Sequence, residues 1–211
     1  MNRLRARVLT ATLTAFTGLT VCAATLLASP AAHAEDGAID AFKAKHEAVA
    51  ALVKSGAKND ELQAKVDGLL DYSWIAQAAL GGPDRFASVC GERCDLFESL
   101  LTQLIRENYL RMIRKADKHP VEYVGQVAGR NGVYKVSTRI KIDKNGRSQT
   151  INVDYVMHKD DQGEWSVRDI ITDDVSLART YAYEFNKIAK SSGIDGIITK
   201  LQDKLAKLSA S

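Results

Sequence analysis

Residues 121–171 read VEYVGQVAGRNGVYKVSTRIKIDKNGRSQTINVDYVMHKDDQGEWSVRDII, and their apolar period decides the fold. Val121, Tyr123 and Val127 form a first alternating run. Tyr134, Val136, Thr138, Ile140 and Ile142 then alternate with Lys135, Ser137, Arg139 and Lys141. Ile151, Val153, Tyr155 and Met157 repeat the pattern, and Trp165, Val167 and Ile171 carry the last run. A period of two sends successive side chains to opposite faces, so each run predicts a strand with one buried face. Asn145-Gly146 and the stretch from Asp160 to Gly163 are turn signals that join neighbouring runs as hairpins. Four hairpin-linked strands predict an antiparallel meander with water on one face and helices on the other.

Upstream the period lengthens. Ile39, Phe42, His46, Val49 and Val53 recur every three or four residues and predict a helix over 38–54, ended by Gly56. Asn59 or Asp60 can cap a second helix running to about Leu70, with Leu62, Val66, Leu69 and Leu70 as its stripe. Asp71 to Ile75 opens a short helix that Gly81-Gly82-Pro83 stops. After Cys94, the residues Phe97, Leu100, Leu101, Leu104, Ile105, Leu110, Met112 and Ile113 form a wide apolar face, which predicts a deeply buried helix. Downstream of the strands, Leu177, Tyr181, Phe185 and Ile188 line one helix. Ile194, Ile197, Ile198, Leu201, Leu205 and Leu208 line another, beyond Ser191-Ser192-Gly193. Strands bracketed by helices predict the α+β class: an antiparallel curved sheet of about four strands packed against several helices.

The first 34 residues read as a removable leader. Arg3, Arg5 and Arg7 precede an apolar stretch from Val8 to Leu27, and Ala32-His33-Ala34 fits a cleavage site after Ala34. Threonines and Gly18 interrupt the apolar stretch and make it a poor membrane span. The formal charge of +3 resides in this leader, because three of the 29 Lys+Arg lie there, leaving 26 against 26 Asp+Glu. A neutral remainder excludes a globally basic nucleic-acid-binding face. Residues 35–211 are predicted to form a single domain, long enough to bury a real core.

Cys90 and Cys94 remain after leader removal. Export to an oxidising compartment favours a local disulfide, with free thiols as the alternative. C-x3-C is not the redox C-x-x-C spacing. His46, His119 and His158 lack metal-ligand spacing, and no catalytic serine, zinc-protease or phosphate-loop motif occurs, so neither a catalytic residue nor a metal is expected. Asp169 shares strand parity with Trp165 and Val167 and is expected to make a buried hydrogen bond to a neighbouring loop. Arg111, Arg114, Lys115, Lys118 and His119 cluster at the end of the long helix. They read either as contacts for anionic lipid headgroups or as cations suited to a helix C-terminus.

Several short motifs fall in a family order. They are Leu70-Asp71-Tyr72, Ala79-Leu80-Gly81, Phe97 with Leu100-Leu101 and Tyr109, Tyr123-Val124-Gly125-Gln126-Val127, and Trp165-Ser166-Val167-Arg168-Asp169-Ile170. Val175-Ser176-Leu177, Tyr181, Phe185-Asn186 and Gly193-Ile194-Asp195-Gly196-Ile197-Ile198 complete the series. Together they resemble the MlaC family, the toluene-tolerance auxiliary components of bacterial lipid-transport systems. Gly82-Pro83-Asp84, Asp174 and the cysteine pair depart from the family pattern.

The resemblance implies a periplasmic phospholipid carrier without enzymatic activity or cofactor, with lipid as its cargo. The implied partners are an inner-membrane MCE-domain protein of an ABC transporter and an outer-membrane lipoprotein complex. The chain would be a monomer and would bind no nucleic acid. Each acyl methylene exposed to water costs about 0.8 kcal/mol, so a carrier needs an apolar cavity. The resemblance places that cavity between sheet and helices. Its expected walls are Tyr123, Val136, Ile140, Ile151, Val153, Tyr155 and Val167 from the strands, and Leu101, Leu104, Ile105, Val175, Tyr181 and Phe185 from the helices. Another apolar ligand, such as a hopanoid or an aromatic solvent, an enzyme using the same pocket through Asp169 or His158, and a structural role in the envelope are the alternatives.

Overall fold

The computed structural model describes residues 37–116, 118–144 and 146–210. The expected leader with its cleavage point, and Asn145 of the expected hairpin turn, lie outside the described residues.

The strands form a five-stranded antiparallel sheet in the order β1 (Val121–Ala128), β2 (Val133–Lys144), β3 (Arg147–Lys159), β4 (Trp165–Thr172) and β5 (Val175–Ser176). A short fifth strand adds to the expected sheet of about four. Asp173 and Asp174 both adopt positive φ, 45° and 67°, and this two-residue turn folds Val175 and Ser176 back onto Thr172 and Ile171. An Asp-Asp pair carries less turn signal than Asn-Gly, so the sequence reads only as a corner.

Two bulges reset the facing of strand residues. The β1–β2 register shifts between Tyr123 and Gly125, so Val127 lies on the water side and is 62% exposed rather than in the core. The β3–β4 register shifts between Val156 and Met157. Downstream of that shift Ile170 pairs with the buried Tyr155, and Ile171 pairs with Asp154 on the outer face. Ile171 was expected among the core residues of its strand. The extra residue moves it outward.

Among the described residues, six α-helices cover the other face. They are α1 (Ala38–Lys54), α2 (Asn59–Asp67), α3 (Tyr72–Ala79), α4 (Pro83–Cys90), α5 (Cys94–Ala116) and α6 (Leu177–Ser209). Lys58 occupies the position before α2, without a side-chain cap, and the helix stops at Asp67. The next residues have another task. Leu70 bridges to Val167 in parallel, through Asp71 N–H to the Val167 carbonyl at 2.9 Å and Val167 N–H to the Leu69 carbonyl at 2.8 Å. Asp71 then caps α3 by accepting from Trp74 N–H at 3.0 Å, while its other oxygen accepts from Arg168 Nε at 3.0 Å. One carboxylate thus fastens α3 to β4. Pro83, read as a stop, is also a start: its fixed φ suits the first turn of α4.

Cys90 at the end of α4 and Cys94 at the start of α5 are disulfide-bonded. So short a loop stabilises by about 2 kcal/mol through chain entropy. Gly193, at φ 61° and ψ −161°, breaks α6 where two helices were expected. Such backbone is open to glycine and strained for other residues. Among the described residues no helix is long and apolar enough to cross a membrane.

The core runs between sheet and helices. Phe42 of α1 lies over Tyr155 at a ring separation of 4.0 Å, and Phe97 of α5 meets Phe185 of α6 at 5.7 Å. Met157, Val136 and Val167 close the sheet side with no exposure.

Candidate functional site

The same packing leaves a groove. Strands β2, β3 and β4 present Ile140, Ile142, Ile151, Val153 and Thr172 toward Met112 and Ala116 of α5, around a cavity of about 530 Å³. A second cavity of about 300 Å³ lies between α5, β4, β5 and the first turns of α6, walled by Ile105, Tyr109, Ile170, Val175, Leu177 and Tyr181. Asn108, Met112 and Thr172 belong to both linings, so the two cavities adjoin along one side of α5. The walls are dominated by aliphatic side chains, and polar groups stand at the borders: Arg111, Lys115, His119 and Asp143 around the first cavity, Thr180 by the second.

Local rules explain these placements. Ile140 and Ile151 are register partners, as are Thr138 and Val153, so one face of the hairpin supplies neighbouring apolar residues. Ile105, Met112 and Ala116 share a side of α5, because residues spaced by three, four or seven fall on one face.

The wall made by α6 is set by Asp169. This carboxylate is buried, and Oδ1 accepts from Ala178 N–H and Ile170 N–H, both at 2.9 Å. Its other oxygen accepts from the Ser176 hydroxyl, which in turn accepts from Arg179 N–H at 3.1 Å. An anion among the first amides of a helix satisfies donors that have no partner inside the helix. The expected buried bond is there, and it fixes the turn that presents Leu177, Thr180 and Tyr181. Burial pushes the Tyr181 phenol up to about 12, so it stays neutral beside the groove.

The residues expected to form a cavity fall into three groups. Ile140, Ile151, Val153, Ile105, Val175 and Tyr181 stand in the two linings. Leu101, Leu104, Val136, Tyr155, Val167 and Phe185 lie behind them as packed core, none more than 3% exposed. Tyr123 borders a smaller, more polar cavity of about 180 Å³ with His46, Glu47, Lys54 and His119. Sequence reasoning did not select Met112, Thr172, Asn108, Ile142, Ile170, Leu177 or Thr180 for the cavity. Met112 and Ile142 were legible as apolar repeats, but their position at a void was not. Thr172 required the β4 bulge.

His46 carries a pH dependence. Its Nδ1 lies 2.9 Å from the Tyr123 hydroxyl, and its ring stacks on Phe42. Burial lowers its pKa from 6.5, opposed by the nearby Glu47 carboxylate. Burial also pushes Tyr123 up to about 12. The unfolded chain therefore takes a proton on this histidine before the folded chain does. Its contribution to stability is complete above pH 6.5 and is lost as the pH falls toward the lowered folded value. Urea denaturation across that window is expected to show a smaller acid loss for His46→Gln than for the parent chain. Parallel curves would contradict this.

No group of three or more metal-ligating side chains is gathered among the described residues. A family model described as MlaC protein matches residues 36–203. Among solved structures, the phospholipid-binding protein from Ralstonia solanacearum in complex with a phospholipid has a similar fold. It is 23% identical, with a TM-score of 0.64, over 82% of this chain and 98% of that one. No curated protein sequence matches the chain.

Proposed function

Because the chain belongs to the MlaC protein family, we propose that its groove holds the acyl tails of a phospholipid and that it carries lipid rather than transforming it. The observation that carries this reading is the pair of adjoining apolar cavities between α5 and the sheet. A chain of about fifteen methylenes costs roughly 12 kcal/mol in water, and aliphatic walls on both sides of a tail offset most of that. Cavities of several hundred Å³ with a few polar groups at the border are the usual form of a small-molecule site. The Ralstonia protein of similar fold was determined with a phospholipid bound, which supports the same ligand class here.

The wider setting is part of the proposal. Residues 1–34 direct export and are removed after Ala34. Residues 35–211 act as one domain in the periplasm, as a monomer. There the carrier moves lipid between an outer-membrane lipoprotein complex and an inner-membrane ABC transporter with an MCE-domain protein.

Native mass spectrometry of protein purified from the periplasm without detergent tests the ligand. We expect adducts with diacyl phospholipid masses that exchange with vesicles. Lipid-free protein that also accepts no lipid from vesicles would remove the proposal. A hopanoid or aromatic adduct would replace phospholipid with another apolar cargo.

A further inference from the structure

Five basic side chains cluster at the end of α5, and the fold separates them. Arg114 is drawn away to α2, donating from Nη2 to Asn59 Oδ1 at 2.8 Å. Lys118 is exposed and outside the groove lining. Arg111, Lys115 and His119 all line the larger cavity. Their spacing of four residues places Arg111 and Lys115 in one row along the helix, and His119 follows in the turn beyond it.

The row lies where apolar wall gives way to water. Arg111 and His119 are half-buried and Lys115 is exposed. Met112 and Ala116, between them in sequence, belong to the apolar wall. Long basic side chains suit such a border, since the methylene stem covers apolar surface while the charge stays wet. Arg111 donates from Nη2 to the Leu208 carbonyl at 3.0 Å, which holds its guanidinium at the rim. Lys115 has no hydrogen bond or ion pair among the described residues. Among the described residues Asp143 is the one carboxylate in this lining, and its Oδ1 already accepts from Gly146 N–H at 2.8 Å. Among the described lining residues, two permanently basic side chains, Arg111 and Lys115, stand against the single carboxylate of Asp143. The smaller cavity differs. Its polar lining residues, Asn108, Thr172 and Thr180, are uncharged, as is the Tyr181 phenol.

We propose that Arg111, Lys115 and His119 form a headgroup site that selects phospholipids of net negative charge over zwitterionic ones. This rests on the phospholipid reading of the groove. Tails in the aliphatic cavity would bring the lipid phosphate to its border, where guanidinium and ammonium donors make charge-assisted hydrogen bonds. A zwitterionic headgroup brings its own cation up to the Lys115 ammonium. A headgroup with an uncharged polar substituent does not.

The test is competitive loading. Delipidated protein is incubated with vesicles of equal parts phosphatidylglycerol and phosphatidylethanolamine with matched acyl chains. The protein is re-isolated, and its bound lipid is counted by class. The parent chain is expected to be enriched in phosphatidylglycerol. Lys115→Gln is expected to reduce the enrichment about fivefold, the effect of one basic residue near an anionic lipid surface. Added salt reduces the enrichment in the parent more than in the variant.

Each other outcome overturns the proposal in a recognisable way. Equal uptake of both lipids by the parent leaves a lipid carrier without headgroup selection. A variant that loads more slowly from anionic vesicles, yet holds the parent's lipid ratio, assigns the row to membrane docking. Lower stability with an unchanged ratio assigns it to complementing the α5 C-terminus. A parent chain that takes up neither lipid overturns the phospholipid reading together with this one.

Discussion

Replacing Asp169 with alanine is expected to lower the unfolding free energy by about 3 kcal/mol, the largest loss from a single side chain outside the apolar core. Its carboxylate accepts from Ile170 N–H, Ala178 N–H and the Ser176 hydroxyl, and it is buried. Truncation removes the acceptor and leaves these donors inside the protein. A buried donor without a partner costs about 1–3 kcal/mol, and bonds to a charged group lie at the upper end. The first turn of α6 also loses the anion that complements its unsatisfied amides. Asp169→Asn keeps one acceptor oxygen but turns an amide NH₂ toward a site made of donors, so it should recover only part of the loss. Urea denaturation of the three proteins at neutral pH measures the order. A loss below about 1 kcal/mol for the alanine variant would mean that water replaces the carboxylate and that the burial argument is wrong.

The effect should reach the groove. Leu177, Thr180 and Tyr181 line the smaller cavity and all lie within two turns of Ser176. If Asp169 positions that turn, Asp169→Asn should weaken lipid retention more than its stability loss suggests. A purely structural carboxylate would leave the retention of the folded fraction unchanged.

The second large effect is expected from filling the groove. Met112 lines both cavities, and Ile151 stands on the sheet wall of the larger one. In Met112→Trp with Ile151→Trp the indoles would occupy space that the proposed tails require. Excluding about four methylenes from the walls costs roughly 3 kcal/mol, on the order of a hundredfold in affinity. Both positions are half-buried at the edge of a void, so the substitutions keep apolar surface against apolar surface and should cost the fold little. Val127→Trp, on the water side of β1, is the control and should load lipid as the parent does. Co-purified lipid per folded protein is the readout. Parent-level lipid in the doubly substituted chain would place the cargo elsewhere.

Much of the architecture was legible because it depends on period. The alternation of Val136, Thr138 and Ile140 leaves no other reading than a strand buried on one face, and each is buried. The helix over 38–54 was bounded correctly from its apolar repeat and Gly56. These signals are local, since the face a residue presents follows from the geometry of its own segment. The order of short motifs pointed to the MlaC family on the same footing, and the family model spans most of the chain.

What failed were positions where one strand's facing depends on its neighbour. Val127 and Ile171 follow an alternating pattern, yet both lie outside because a bulge in β1 and another in β4 shift the pairing by one residue. A bulge is a property of two strands, and no single strand announces it. The five-residue basic cluster shows the same limit. Its composition was visible, but the division of Arg114 to α2 and of Arg111, Lys115 and His119 to the groove required the folded helix.

The sequence by itself determined the four long strands and their antiparallel meander, most of the helices and the apolar faces that meet inside, but not α4 or the short β5. Only the tertiary structure decided which of those apolar residues touch one another and which border a void. Leu104 and Ile105 are adjacent and similar, and one is packed core while the other lines a cavity. Hydrophobic burial is nearly indifferent to whether the neighbour is a side chain or a ligand. A cavity arises from how separate elements fail to fill space together, and that failure is written in no single stretch of chain.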